Sequence, residues 1–315
     1  MNYLSALSSL LIPCDQQLFD FSVQLSAELK GELLAVLSAF CWAGSASVYR
    51  KGLQGIDAWS GNFIRTGLAA VGFFVIMAAK GSLSHALSDI DSSIFFWLIF
   101  SAFFAFFLGD SLFLFALKKI GVSKTVPLSS TFPLFAVVWS FVIFRRPVSI
   151  PVIAGTLLII FAIKLISEEK EDISSTDSKG VLFALLAAVC WSVSILVLDH
   201  LVVLLPSEAV AGFRFLITFV LVGALLSKGK FTYTKHAFLW IGVGGVAILI
   251  LGNYTFLEAI RMAGSAAVAP ISAIYPVISV LLAVLFLREK LTRNIVGGTL
   301  FSFAGVLIIV LGSAL

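Results

Sequence analysis

Apolar residues in this chain come in long runs separated by short polar connections. About twenty apolar residues are what one helix needs to cross the hydrocarbon core of a bilayer. On that length, ten helices are predicted, over roughly 31–50, 58–79, 94–117, 124–144, 148–166, 180–199, 207–227, 237–260, 265–287 and 293–312. Most connections are as short as RKGLQGID after the first helix and REKLTR after the ninth, so consecutive helices must run antiparallel. Residues 1–30 do not fit this pattern. The run Leu4 to Ile12 is too short to span and is closed by Pro13 and Asp15, and no positive charge precedes it. It is expected to be a tail, either an amphipathic interfacial segment or disordered.

One stretch near the middle, SEEKEDISSTDSKG over Ser167 to Gly180, has nothing to bury and reads as a solvated linker. Five predicted helices lie on each side of it, and the two sets match each other. A shift of 149 positions superposes Gly31 on Gly180, Cys41-Trp42 on Cys190-Trp191, Ser45 on Ser194 and Arg65 on Arg214. A shift of 143 superposes Gly109 on Gly252, Gly121 on Gly264, Pro127 and Pro133 on Pro270 and Pro276, and Gly155 on Gly298. Aliphatic matches mean little in so apolar a chain, but matches at Trp, Arg, Pro and Gly are informative. The organisation expected is a tail (1–30), a first five-helix repeat (31–166), a linker (167–179) and a second repeat (180–315). Because five is odd, the second copy enters the membrane upside down. That is the inverted-topology repeat of secondary transporters, which bind substrate near the midplane between the halves. The fold class is therefore an all-α integral membrane protein of ten transmembrane helices in two inverted five-helix repeats.

Composition agrees. Sixty per cent of the 315 residues are hydrophobic and 12% are charged, against about 25% charged in soluble domains; the mean hydropathy is +1.10. The net charge of +4 comes from Lys and Arg scattered at helix ends, the habit of a membrane protein and not of a nucleic-acid binder. Cys14, Cys41 and Cys190 show no metal-ligand spacing, and the three histidines, His85, His200 and His236, lie near helix ends. No catalytic set, metal site or cofactor site is expected. The partners expected are a small-molecule substrate and the lipid bilayer, with no nucleic acid, in a monomer or homodimer.

Few polar residues lie inside the predicted helices. Arg65 and Arg214 each lie about seven residues into a helix, on the order of 10 Å along its axis. Either they snorkel to the headgroups or brace a neighbouring helix, or they face the cavity as gates or as partners of an anionic substrate group. Asp110 sits deep in helix 3. It either pairs with Arg65 or a nearby Ser, or is a proton-coupling carboxyl; its second-half counterpart, Asn253, cannot titrate. Glu258 and Arg261 are spaced for an interfacial ion pair, and Asp199 and His200 end helix 6.

Pro127 and Pro133 in helix 4, and Pro270 and Pro276 in helix 9, each remove a backbone donor and interrupt the helix. Interrupted helices at matching places in two halves point to a transport site, unless Ser and Thr simply re-satisfy the kinks. Between these prolines lie Ser129, Ser130, Ser272 and Tyr275. Trp42 and Trp191 are too deep for an interfacial belt, so they either pack against helices 4 and 9 or line the cavity, with Ser45 and Ser194 on the same faces. Asn62 is a further candidate liner. The cavity residues expected are therefore Trp42, Ser45, Asn62, Ser129, Ser130, Trp191, Ser194, Asn253, Ser272 and Tyr275. Small-residue stripes, Gly155 with Ala162 and Gly297-Gly298 with Gly305, are expected to let helices 5 and 10 pack closely.

The run LEAIRMAGSAAVAPISAIYPVISVLLAVLFLREKLT (Leu257 to Thr292), its first-half counterpart LFALKKIGVSKTVPLSSTFPLFAVVWSFVIFRRPVS, the duplicated Cys-Trp and the duplicated Arg together resemble the EamA-type transporters of the drug/metabolite transporter superfamily. The resemblance covers nearly everything from Gly31 to Leu311. It implies a basket of helices around a central cavity, with helices 5 and 10 peripheral, and transport of amino acids or other small metabolites, mostly by export. Glu289 matches the Glu that follows the ninth helix in the family; Arg146, then Pro147, stands at the equivalent first-half position, a departure. The family usually has both termini inside. Here Lys30, Lys80, Arg145, Arg146 and Arg261 fall on the terminal side and a larger set, including Arg50, Lys51, Lys118, Lys119 and Lys124, on the other. The positive-inside rule thus puts the termini outside.

The function expected is a secondary active transporter of the cell membrane, exporting an amino acid or related metabolite by alternating access and driven by protons or exchange. The alternatives are a sugar-phosphate or nucleotide-sugar exchanger, which needs more cavity cations than two arginines, and a channel, which needs a continuous polar lining.

Overall fold

The computed structural model describes residues 14–144, 150–167, 177–272 and 274–313. Outside them lie residues 1–13, 145–149 (with Arg145, Arg146 and Pro147), 168–176 of the linker, 273 and 314–315; the side chains of Asp199 and Pro270 are likewise not described. The described residues are helical throughout, with no strand.

The first half holds α1 (Cys14–Gly52), α2 (Ala58–Lys80), a short α3 (Leu83–Asp89), α4 (Ser92–Ala102), a π-helical segment π1 (Phe103–Gly109), α5 (Asp110–Ser129), α6 (Phe132–Phe144) and α7 (Ile150–Ser167). The second holds α8 (Ser178–Ile195), α9 (Leu198–Leu204), α10 (Ser207–Leu226), a single turn α11 (Lys235–Ala237), π2 (Phe238–Gly245), α12 (Val246–Ser272), α13 (Tyr275–Leu287) and α14 (Arg293–Ser313). Among the described residues, six helical stretches are long and apolar enough to cross a bilayer: Glu28–Gly52, Ala58–Lys80, Ser92–Ser129, Ser178–Ile195, Ser207–Leu226 and Lys235–Gly264. Three shorter apolar helices accompany them, Ile153–Ile166, Tyr275–Leu287 and Arg293–Ile309. Large apolar side chains such as Val75, Leu157, Val220, Leu285 and Phe286 point outward and are exposed, the pattern of a surface facing lipid.

Boundaries differ from the sequence expectation in informative places. The first helix begins at Cys14, well before residue 31. The predicted sixth helix breaks at Leu196-Val197, and α9 follows. Gly121 and Gly264 take φ of 75° with ψ of 179° and 158°, a region essentially closed to other residues. Each kinks the chain between consecutive predicted helices, so that α5 and α12 are each two helical segments joined at that glycine. The predicted fourth and ninth helices are each interrupted between their two prolines, where α5 gives way to α6 and α12 to α13.

The halves interlock reciprocally. First-half α1 packs along second-half α12, second-half α8 along first-half α5, and α2 pairs with α10. Close approach is set by small residues. A Cβ on Gly252 would stand 2.9 Å from Cys41 Cβ, and one on Gly155 would stand 2.6 Å from the Gly305 carbonyl. The second contact joins α7 to α14 through the expected glycine stripes. Loop anchors are duplicated too: Lys118 Nζ donates to the Ile56 carbonyl at 2.5 Å, and Arg261 Nη2 donates to the Leu205 carbonyl at 2.5 Å. Arg261 also lies 4.0 Å from Glu258, the expected ion pair, and His200 is exposed.

Candidate functional site

A cavity of about 160 Å³ lies between the halves. Its walls come from equivalent positions of the two repeats: Trp42 and Trp191, Ser45 and Ser194, Tyr49 and Leu198, Arg65 and Arg214, Phe106 and Leu249, Asp110 and Asn253, Phe113 and Phe256, Phe132 and Tyr275. The site is thus assembled by the duplication and mostly apolar, with its charge confined to two arginines and one aspartate.

The first-half arginine is fully engaged. Arg65 is 2% exposed and forms an ion pair with Asp110. Its Nε donates to Asn62 Oδ1 at 2.9 Å, and its guanidinium lies 5.1 Å from the centre of the Tyr49 ring. Asn62 Nδ2 is anchored by the Phe106 carbonyl and Ser111 Oγ, both at 2.8 Å. The second half joins this network through Trp191, whose Nε1 donates to Asp110 Oδ1 at 2.9 Å and to the Ala105 carbonyl at 3.2 Å. The π-helical segment ends at Gly109, so Asp110 is presented at its edge. An insertion of this kind re-aims the residues that follow, which is why π turns recur at functional sites.

Arg214 is as buried, at 3% exposed, but differently surrounded. Nη2 donates to Ser194 Oγ at 3.2 Å, and the guanidinium stacks 4.5 Å from the centre of the Phe106 ring. Its Nε has no hydrogen-bond partner, and no carboxylate pairs with it among the described residues. Ser194 is held by Ser101, at 2.7 Å to its hydroxyl and 3.0 Å to its carbonyl.

Of the residues singled out in the sequence, Trp42, Ser45, Arg65, Asp110, Trp191, Ser194, Arg214, Asn253 and Tyr275 line this cavity, and four others do not. Asn62 stands behind the wall as the brace of Arg65. Ser129 and Ser130 turn back on their own helix, donating to the Val126 carbonyl at 3.2 Å and the Pro127 carbonyl at 2.8 Å. A hydroxyl at this spacing reaches the carbonyl three residues back, and both serines also stand within hydrogen-bond reach of the Tyr275 hydroxyl, directly behind the cavity wall. Ser272 is buried without a hydrogen-bond partner. Pro133 and Pro276 flank the interruptions, and Pro127 and Pro270 fall inside the last turns before them. Trp42 packs on Phe256 and Tyr275, with ring centres 4.6 and 6.0 Å apart, so packing against the ninth predicted helix and lining the cavity are one role. Sequence reasoning missed Tyr49, although its spacing from Trp42 and Ser45 (i+7, i+4) puts it on the same helix face.

Glu289 acts away from the cavity. Its carboxylate accepts from the backbone N–H of Val122 and of Ser123, both at 2.8 Å, at the helix start that follows Gly121. It thereby caps a first-half helix from the second half.

Fold and site together define a multi-pass integral membrane protein built from two similar halves around a central cavity. The sequence model of the EamA-like transporter family matches residues 29–168 and again 178–311. The chain belongs to that family, within the drug/metabolite transporter superfamily, and is a protein of the cell membrane. An uncharacterized transporter of Archaeoglobus fulgidus is 31% identical over 279 residues, 89% of this chain and 97% of that protein. Protein LicB of Haemophilus influenzae is 23% identical over 285 residues, again 89% of this chain and 97% of the relative. A solved crystal structure shares the fold at a TM-score of 0.61 and 18% identity, over 92% of this chain and 98% of that one.

Proposed function

We propose that the protein is a secondary active transporter that moves a small organic metabolite by alternating access, with ten spans arranged as two inverted repeats. The supporting observation is the cavity itself, whose walls are drawn in pairs from equivalent positions of the two halves. If the halves rock about such a site, each paired wall exchanges its exposure between the two membrane faces. Asp110 is the coupling group in this reading. It is held by Arg65 from its own half and by Trp191 from the other, so a relative movement of the halves that withdraws Trp191 uncovers the carboxylate to a proton. Export is the direction we favour, on the family resemblance. A phosphate exchanger is disfavoured because one of the two cavity arginines is already neutralised by Asp110.

The test is transport by purified protein in proteoliposomes, with a panel of amino acids and small organic acids, with and without a pH gradient. Gradient-driven accumulation of at least one solute, abolished in Asp110→Asn while exchange persists, is the expected result. Full gradient-driven accumulation by Asp110→Asn removes the coupling role. Passive conduction with no saturation by any solute removes the carrier reading altogether.

A further inference from the structure

The two halves hold the same arginine in different company. Around Arg65 stand Asp110, Asn62 and Tyr49: a counter-ion, an acceptor for Nε and an aromatic face. By the chain's own repeat, the positions equivalent to these around Arg214 are Asn253, Ala211 and Leu198. The counter-ion and the Nε acceptor are gone, Phe106 supplies the aromatic face instead at 4.5 Å, and the cation is kept. Asn253 does not substitute for the lost carboxylate, because an amide carries no charge; its Nδ2 donates to the Leu249 carbonyl at 3.0 Å. Arg214 is left deeply buried on the cavity wall with one serine hydrogen bond, the Phe106 ring, an unpartnered Nε and, among the described residues, no carboxylate. A buried guanidinium without an anion is among the costliest arrangements a fold can hold, and more so within a membrane. Retaining it is intelligible if the anion comes from outside the chain.

We propose that Arg214 is the docking point for a carboxylate group of the transported solute, an inference that rests on the transporter reading above. The geometry suits one carboxylate. Arg65 and Asp110 cancel each other, leaving one net positive charge on the described cavity wall. A guanidinium presents a planar fork that takes a carboxylate by two parallel bonds. The rest of the wall near it is aromatic, with Trp42, Trp191, Phe106 and Tyr275, and so receives an apolar or aromatic body. The solute class is therefore a monocarboxylate on an apolar body, either a simple organic acid or the α-carboxylate of a neutral amino acid.

Binding is read by thermal denaturation of the purified full chain in detergent, titrated with phenylacetate, phenylalanine, phenylacetamide and phenethylamine. One or both carboxylates should raise the midpoint saturably, while the neutral amide and the cation should not. Phenylacetate alone identifies the organic-acid arm and phenylalanine the amino-acid arm. Arg214→Met should weaken that carboxylate response at least tenfold, and on the order of a hundredfold, the usual consequence of truncating one side of a buried charge pair; Arg214→Lys should restore part of it. A merely structural arginine would lower the unliganded midpoint when removed. Here Arg214→Met should leave it unchanged or raise it, because an uncompensated buried charge is lost, whereas Arg65→Met should lower it by orphaning Asp110. Stabilisation by the amide or the amine equal to that by the carboxylates overturns the inference, as does an undiminished carboxylate response in Arg214→Met. Carboxylate binding through Arg214 without saturable flux in proteoliposomes would instead refute transport and leave the binding site standing. Saturable flux of non-carboxylates unaffected by Arg214→Met would do the reverse.

Discussion

Substitution of Gly109 by alanine isolates how tightly the Trp191–Asp110–Arg65 network is built. A Cβ at Gly109 would stand 2.7 Å from Trp191 Cδ1, 2.8 Å from its Nε1 and 2.9 Å from the Phe104 carbonyl oxygen. Ordinary contact lies at about 3.5–4.0 Å, and the carbonyl belongs to the backbone and cannot turn aside. The indole is pinned by its bonds to Asp110 and Ala105. If it stays, the overlap costs about 1–3 kcal/mol in displaced packing. If it swings away, a hydrogen bond to a charged acceptor is lost, worth about 1.5–3 kcal/mol. Relief of glycine's backbone entropy offsets about 0.5–1 kcal/mol, so the net expectation is a loss of roughly 1–2 kcal/mol. Gly44→Ala is the internal control, because nothing lies within 4 Å of its added Cβ and only the gain should remain. Both are followed by thermal denaturation in detergent on a Cys14→Ser background, using dye labelling of the free Cys41 and Cys190 as the signal for unfolding. A Gly109→Ala midpoint equal to or above that of Gly44→Ala would refute the reasoning.

Three further outcomes follow from local geometry. Glu289→Ala should lower stability by about 1–2 kcal/mol, since it strips two backbone N–H groups of a charged cap, and denaturation should show Glu289→Gln falling between it and the parent. Gly264→Ala should cost about 1–3 kcal/mol from backbone strain alone, having nothing within 4 Å, and Gly121→Ala should cost more because its Cβ would also stand 2.8 Å from a Glu289 carboxylate oxygen; equal midpoints would contradict this. Burial alone would raise the Asp57 carboxyl, but hydrogen bonds from Ser60 and Thr232 outweigh it and hold the group below its ordinary value of 3.8. With a depressed folded value, this contribution is present in full above that ordinary value and lost as pH falls through the depressed one. Asp57→Asn should therefore flatten the acid side of the stability profile below about pH 4, and a profile parallel to the parent's would count against the clasp.

Much of the architecture was legible because a bilayer constrains sequence so strongly. A segment that crosses lipid must be apolar for about twenty residues and must satisfy its own backbone, so the helices stood out as runs. Rare residues exposed the duplication: Cys41-Trp42 and Cys190-Trp191 mark the facing helices α1 and α8, and their tryptophans meet in one cavity. Tyr49 and the four phenylalanines of the wall, Phe106, Phe113, Phe132 and Phe256, escaped notice, the latter because thirty Phe residues carry no individual signal. The hydroxyls at Ser129 and Ser130 stand one layer behind the wall, bonding carbonyls three residues back and reaching the cavity through Tyr275, a placement that spacing alone does not reveal.

By itself, then, the sequence determined the membrane class, the repeat and the three charges of the cavity wall, all consequences of hydrophobic patterning and chain identity. Only the tertiary structure decided which of those charges are neutralised. Arg65 and Arg214 are equivalent in sequence, but pairing depends on which side chains the interlocked helices bring within hydrogen-bond reach. That packing brings a carboxylate to the first arginine and, among the described residues, none to the second.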